Sequence, residues 1–348
     1  MTGIIEVAPT EWDEVLGAHG LDDVYASYGY VAASCLVEPG EPRLLELRDA
    51  HGSIFFPLIL REIPGTDGLH DVTTPYGYGG PLPAGSTPPW RGFDEALQSW
   101  CARENVVSTF VRFHPRYANQ AGASTMEIRE LSGVIGWRVD PDRDLMAGMH
   151  PHHRRLVRKA TNAGVRARVT QGPIELDGFR GLYEATMRRL DASSFYFFDD
   201  RYWASLSRDL GDQLVLVESE LDGAIVAGAL CLGSAPWLHY HLGASDETGR
   251  ANGANHLALF VAAQWAQANG YTTLNLGGGV GGRDDPLFAF KTRFDPEGVL
   301  PCFIGTQIND PMVYRRLSGS DAEATFFPAY RASERALQGN GDVRSSGA

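Results

Sequence analysis

The residues best suited to chemistry lie between 270 and 294, in GYTTLNLGGGVGGRDDPLFAFKTRF. Gly277, Gly278, Gly279, Gly281 and Gly282 make a loop almost without side chains. Glycine backbone takes φ > 0 readily and lets a ligand approach closely. Lys291 follows as a lone cation among Phe288, Phe290 and Phe294. The chain has 30 Lys+Arg, yet only two are lysines, Lys159 and Lys291. Where arginine is the default cation, a retained lysine points to a need for a compact ammonium with rotatable donors rather than a planar fork. The stretch reads as the wall of a ligand site. A glycine-rich turn beside one surface lysine is the plainer alternative.

A second informative stretch is 149–171, MHPHHRRLVRKATNAGVRARVTQ. A helix begun near Pro151 and stopped by Gly164 puts Arg154, Arg155, Arg158 and Lys159 on one arc. Leu156, Val157, Ala160 and Ala163 fall on the opposite, packing arc. No Asp or Glu occurs from Leu145 to Ile174, although the whole chain carries a formal net charge of −13. This local exception suggests an anionic partner such as phosphates. A solvated helix face balanced by distant acids is the other explanation.

Several further residues have usable types. In the alternating run LHYH, His239 and His241 share a strand face and Tyr240 takes the other. Each is a candidate general base or a packing residue. Asp284 and Asp285, just after the glycine loop, are candidates for holding an amine. In the first half, DVTTPYGYGGPLP (71–83) sets Tyr76 and Tyr78 in a loop that its prolines and glycines keep irregular. Such a loop suits ligand binding, and equally an ordinary connector. VVSTFVRFHP ends in Arg112 and His114. Tyr25, Tyr28 and Tyr30 either line a pocket or pack.

At 348 residues, two domains are expected. No apolar run of 18 residues exists to span a membrane, and MTGIIEVAPTEWDE lacks a basic start and a long apolar core. Cys35, Cys101, Cys231 and Cys302 lie far apart without a CxxC pair. That argues against a disulfide framework or a zinc site and fits a reducing cytoplasm. The acidic balance argues against a general polyanion-binding surface, so any nucleic-acid contact is expected to be local.

The elements that must position these residues are legible in outline. Helices are expected from about Thr10 to Gly17, over PWRGFDEALQSWCAREN, from Pro151, and from Asp177 to Leu190. Strands are expected in RLLELRD, SIFFPLILREI and VVSTFVRF, and in residues 124–139. Three more strands follow at about 213–219, 224–233 and 236–243, the first two turning at Asp222-Gly223. A helix from near Asn255 to Gly270 leads back to a strand at Thr272–Leu276. Short helices are expected in MVYRRLSG and PAYRASERALQ, and 339–348 reads as a disordered tail. The alternation gives an α/β (α+β) chain with a first domain at 1–148, a second at 149–308 and a C-terminal segment at 309–338.

Three strands, a loop opening a helix and another strand is the order of N-acetyltransferase-like (GNAT) domains. Their loop signature, Arg/Gln-x-x-Gly-x-Gly/Ala, is partly matched by RANGAN, with Arg250, Gly253 and then Asn255. More specifically, the chain resembles the Fem-like aminoacyl-tRNA-dependent transferases, the FemABX type that builds peptidoglycan bridges. The resemblance rests on HHRRLVRKATNAGV, LHYHLGAS followed by GAN, LNLGGG and LFAFKTRF. It extends weakly to DVYASYGYV, PYGYGGP and FVRFHP. It implies two GNAT-like domains with mixed, mostly antiparallel sheets flanked by helices, and a C-terminal segment that packs back on the first. It also implies that Lys291 stabilises an oxyanion or the departing tRNA 3′ end, and that the basic helix faces phosphates. Phe290 would stack on a base or pack beneath Lys291. No heptad run exists for the coiled-coil arm that some members carry.

The expected activity is therefore amide formation, moving an aminoacyl group from aminoacyl-tRNA to an amine of a peptidic or cell-wall-precursor acceptor. No cofactor is required and no covalent enzyme intermediate is implied. Two rivals remain: an acyl-CoA N-acyltransferase that uses acetyl-CoA or acyl-CoA, and a non-catalytic binding protein on the same fold.

Overall fold

A computed structural model describes residues 3–319 and 326–332. The described residues form two compact units: those up to Leu131 together with those from Cys302 onward, and Ser132–Pro301. The tail at 339–348, and most of the helix expected in PAYRASERALQ, lie outside the described residues.

In the first unit, β1 (Ile5–Val7), α1 (Trp12–Ala18) and α2 (Tyr28–Ser34) precede the hairpin of β2 (Glu41–Arg48) and β3 (Gly52–Glu62). β4 (His70–Thr73), β5 (Leu82–Gly85), α3 (Trp90–Arg103), β6 (Val106–Arg112) and β7 (Glu127–Glu130) follow. The eight-stranded sheet runs β1-β2-β3-β4-β6, with β5 beside β3. It is completed between β6 and β7 by a strand from the far end of the chain, Phe303–Ile308. Helix α1 starts two residues later than expected, with Glu11 at its N-cap and no side-chain cap. The tyrosines Tyr25 and Tyr30 pack in the interior, their rings edge-to-face at 4.9 Å.

The second unit opens with β8 (Val134–Arg138), α4 (Leu145–Gly148), α5 (Pro151–Asn162), β9 (Arg166–Gln171), α6 (Asp177–Arg189) and α7 (Asp200–Leu210). The meander β10 (Leu214–Leu221), β11 (Ala224–Ser234) and β12 (Trp237–Ser245) comes next. Its first turn holds Asp222 and Gly223 at φ 52° and 82°, the left-handed pair a tight hairpin demands. Then come α8 (Glu247–Asn252), α9 (Ala254–Ala268), β13 (Thr273–Gly277), α10 (Pro286–Thr292) and β14 (Val299–Leu300). The seven-stranded sheet runs β14-β8-β13-β12-β11-β10-β9. Its largest core cluster buries Leu274, Leu276, Cys231 and Ala229 under Val157 and Ala160 of α5 and Ala258, Ala262 and Ala266 of α9.

Two strands fix the chain's division. β8 lies within 1–148, yet it pairs antiparallel with β13, Thr273 opposite Arg138. β15 (Phe303–Ile308) pairs with β6, Ile304 opposite Arg112, and α11 (Pro311–Ser318) falls on the first unit's side of the division. Of the residues described beyond it, Arg331 is tied to the first unit as well: its Nε donates to Asp71, which also accepts from Arg61 Nε at 2.8 Å.

Candidate active site

The site grows from a divergence of two parallel strands. β12 ladders with β13 only from Trp237–Thr273 to His239–Asn275. β12 runs on to Ser245 and β13 to Gly277, so the strands part beyond that point. Asn275 closes the narrow end. Its Oδ1 accepts from the Gly277 N–H at 3.0 Å, which turns its Nδ2 towards His239 Nδ1 at 3.1 Å. His239 therefore accepts at Nδ1 and carries its proton at Nε2.

Past the narrow end, β12 bulges. Leu230 faces Leu242 but Cys231 faces Tyr240, so His241 is the extra residue. The bulge sends Tyr240 and Gly243 to the same side. The Tyr240 hydroxyl occupies the place that a Cβ at position 243 would take. The sequence reading missed Gly243, and a glycine three residues after an aromatic in a strand was the signal for it.

Lys291 sits beside Tyr240. It lies on α10, is buried, and its Nζ donates to Gly278 O at 2.8 Å. The ammonium lies 5.9 Å from the Tyr240 ring centre. Burial pushes its pKa down from 10.5 to about 8, with Asp285 acting weakly the other way. Among the described residues no carboxylate forms an ion pair with it.

The glycine loop is held by Asp285, in a role other than the expected one. Its Oδ1 accepts from Phe288 N and its Oδ2 from Val280 N, both at 2.8 Å, so it caps α10 and braces the loop. With both oxygens engaged by backbone amides, it is not arranged to receive an amine. Asp284 is exposed beside it. Gly277 takes φ 75°, and a Cβ at Gly278 would come within 2.7 Å of Gly133 O. A Cβ at Gly279 would meet Arg283 O. These glycines serve close backbone packing as well as access.

The histidine candidates lie elsewhere. His241 is buried and shares a 2.9 Å hydrogen bond through Nε2 with the Tyr202 hydroxyl of α7. Burial, aided by His239, drives its pKa down to about 3. It is neutral at physiological pH and a very weak base, which suits packing better than proton transfer. Tyr240 and Lys291 are thus brought together, while His241 turns towards α7.

On α5, the expected basic arc forms with altered duties. Arg154 Nη1 donates to Ala147 O at 3.1 Å, and Lys159 Nζ donates to Ala251 O at the end of α8. Arg155 donates to His152 Nδ1 at 3.1 Å, and Arg155 and Arg158 are exposed. None of the four forms an ion pair among the described residues. The packing face holds His153, Val157 and Ala160, whereas Ala163 is exposed. A histidine in that face was not foreseen.

Phe290 does not stand free for stacking on a base. Its ring packs at 5.2 Å from both His153 and His256, and at 5.4 Å from Phe294. His153 and His256 meet edge-to-face at 4.5 Å. Burial lowers their pKa values to about 4 and about 3. Together with His241, these neutral histidines make the second unit acid-labile. Their folded pKa values lie below the ordinary 6.5 of a histidine, so the unfolded chain binds more protons between about pH 4 and 6.5. Stability there falls as pH falls. About three extra protons should be taken up on unfolding near pH 5. The guanidinium midpoint, followed from pH 7 to 4.5, should drop steeply below pH 6, and a flat profile would refute the assignment.

Asn255 and the RANGAN loop sit at the start of α9. Gly253 takes φ 74° and packs against α5, where a Cβ would come within 2.8 Å of Leu156 O. Asn255 Nδ2 donates to Ser245 Oγ at 3.0 Å, and Arg250 Nη1 to Ser245 O at 3.3 Å. The first amides of α9 have no intrahelical acceptor, the usual setting for an anion.

The remaining candidates belong to the first unit and form their own cluster. Tyr78 is buried between Tyr25 and His114, at 5.8 and 5.7 Å. Tyr76 is exposed, and its carbonyl accepts from the Tyr30 hydroxyl at 2.6 Å. His114 Nδ1 accepts from Arg116 N at 3.1 Å, which leaves Nε2–H facing Asp23 Oδ2 at 3.2 Å. Asn119 pins the tyrosine loop through the carbonyls of Gly79 and Pro81, at 2.9 and 3.0 Å. Arg112 lies over Phe110 at 5.8 Å.

Comparison with known proteins bears on this geometry. Residues 150–291 match the sequence profile of the acetyltransferase (GNAT) domain. No curated protein sequence matches the chain significantly. Among solved structures, FemX aligns with a TM-score of 0.68 at 14% identity, covering 90% of this chain and 99% of FemX. The C-terminal domain of a putative lysylphosphatidylglycerol synthetase from Agrobacterium fabrum aligns at 0.52 and 12% identity, covering 86% and 92%. A tandem GNAT protein from the clavulanic acid biosynthesis pathway aligns at 0.52 and 12%, covering 88% and 98%. These findings support an acyltransferase, and no helix among the described residues is long and apolar enough to cross a membrane. Residues 150–291 carry an acetyltransferase (GNAT) domain, and the fold of the chain as a whole is similar to that of FemX.

Proposed function

We propose that the protein moves an aminoacyl group from aminoacyl-tRNA to an amine of a peptidic acceptor of the cell-wall-precursor kind. The observation that carries this is Lys291: a buried ammonium, fixed on a backbone carbonyl beside diverging strands and without a carboxylate partner among the described residues. A charge kept in such a place at a cost in desolvation suits a reaction that develops negative charge there. The basic helix α5 and the Fem-like fold support tRNA as the donor.

In the reaction, the acceptor's neutral amine attacks the ester carbonyl and a C–N bond forms. The carbonyl oxygen becomes an oxyanion next to the Lys291 ammonium. Collapse breaks the C–O bond to the ribose, and the proton lost by the amine ends on the released hydroxyl. The ester and amine are replaced by an amide and an alcohol, with no redox change and no enzyme-bound acyl group. Since the cation is the active form, turnover should fall as pH rises through about 8. In Lys291→Arg, that basic limb should move beyond pH 10 even if the rate is low. A limb that stays in place would assign the titration to another group.

A second reading, acyl transfer from acyl-CoA, is favoured by the α9 N-terminus behind Gly253 and by the acetyltransferase profile. Retention of mixed aminoacyl-tRNA against uncharged tRNA, beside acetyl-CoA binding, separates the two. Salt-sensitive preference for charged tRNA supports the first reading. Tight acetyl-CoA binding without tRNA retention overturns it in favour of the second.

A further inference from the structure

Helix α10 is seven residues long and carries Lys291, and a helix so short does not hold its own position in water. Its carbonyls are gripped from the first turn of α5. His153 Nε2–H donates to Phe290 O at 2.9 Å, and His150 N–H donates to Arg293 O at 2.9 Å. His153 is 1% exposed, and its ring is packed by His256, Phe294 and Phe290 at 4.5, 4.6 and 5.2 Å. Its Nδ1 is buried with no hydrogen-bond partner among the described residues. The ring is therefore a one-donor clamp: Nε2 gives its proton to α10, and Nδ1 is buried with no acceptor among the described residues.

We infer that His153 is the positioning residue for Lys291, holding the lysine's helix through the Phe290 carbonyl and releasing it when Nδ1 is protonated. The inference rests on Lys291 being the cation of the site. A proton on Nδ1 would place a second N–H, with a charge, in a buried position that has no acceptor. The groups that face it add to the penalty. His152 and His150 come from α5, Arg293 from the turn after α10, and His256 from α9. Arg293 is positive, and the histidines become so as pH falls. No carboxylate acts on His153 from any of these elements. The same first turn of α5 carries Arg154 and Arg155, so the basic helix and the lysine helix are joined as one body through His153 and His150.

The chain's two lysines make the test direct, because each is read as a separate peptide. The full-length protein is trace-acetylated with acetic anhydride from pH 6 to 11, and acetylation at Lys291 and Lys159 is measured by mass spectrometry. In the wild type, Lys291 should react slowly with a midpoint near 8, and exposed Lys159 serves as the internal reference. His153→Phe keeps a ring but loses the donor. Lys291 should then react at least several-fold faster, with its midpoint moved up towards 10.5. His153→Gln, whose amide can still donate, should restore the wild-type profile. A cooperative melt with an unchanged Lys291 profile in His153→Phe would make His153 merely a packing residue and overturn the inference.

If His153→Phe fails to melt cooperatively, hydrogen exchange of the wild type at pH 7 and 4.5 decides. Amides of 286–294 should lose protection at the lower pH before those of α9, after correction for intrinsic rates. Loss together with α9 would overturn the inference. Neither measurement depends on the protein's own turnover. A finding that Lys291→Met still transfers would remove the oxyanion role of Lys291, whereas the hold of His153 on the lysine's helix is read separately from its reactivity and exchange.

Discussion

Replacing Lys291 by methionine should lower turnover by about 10²–10³-fold, the range found when one oxyanion donor is removed. Substrate affinities should change far less, because an oxyanion exists only during the reaction. The fold should not suffer. Methionine fills a similar volume, and the buried ammonium has been desolvated enough to shift its pKa from 10.5 to about 8. Removing such a charge lifts a penalty of about 3 kcal/mol, against which the lost hydrogen bond to Gly278 O counts about 1. The melting temperature of Lys291→Met should therefore match or exceed that of the wild type. Single-turnover rates and binding constants, measured with the same acceptor, check the first part. Equal loss of rate and affinity would exclude the oxyanion role. A sharp fall in melting temperature would give the lysine a structural one.

Reversing the charge of Arg155 and Arg158 together to glutamate should weaken donor binding by about tenfold or more at low salt. The dependence of log affinity on log salt should become shallower by about 1.5, since each lost phosphate contact removes roughly 0.7–0.9 from the slope. These two residues are the informative pair. Both are exposed, whereas Arg154 and Lys159 are engaged with the carbonyls of Ala147 and Ala251. Changing Arg154 or Lys159 would confound binding with the anchoring of α4 and α8. A filter-binding or polarisation series across salt reads the slope. An unchanged slope returns the stripe to solvent, and the donor then need not be a nucleic acid.

Much of this protein is local in origin. Alternation of apolar residues set β10 to β13 of the second sheet but not β9 or β14, and glycine and proline punctuated the helices, so α5, α6 and α9 begin and end within a few residues of expectation. The scarcity of lysine singled out Lys291, and the run without acids singled out α5, because composition and helical period need no tertiary contact to be seen. Helices α7 and α8 escaped notice. The first hid in an aromatic-rich run, and the second is only six residues long.

What the sequence left open depended on partners far along the chain. Strand β8 joins β13 across more than a hundred residues, and β15 returns to β6, pairings that periodicity does not encode. Asp285 reads as a free carboxylate until the amides of Val280 and Phe288 are found on its two oxygens. His241 and Tyr240 are neighbours in sequence, yet a one-residue bulge and the Tyr202 hydroxyl send them to different tasks. His153 lies within a basic run and looks exposed until α9 and α10 enclose it. A side chain's type and period come from the sequence, because they follow from backbone geometry alone. Its protonation, its hydrogen-bond partner and its access come from burial, and burial is decided by the segments that fold over it.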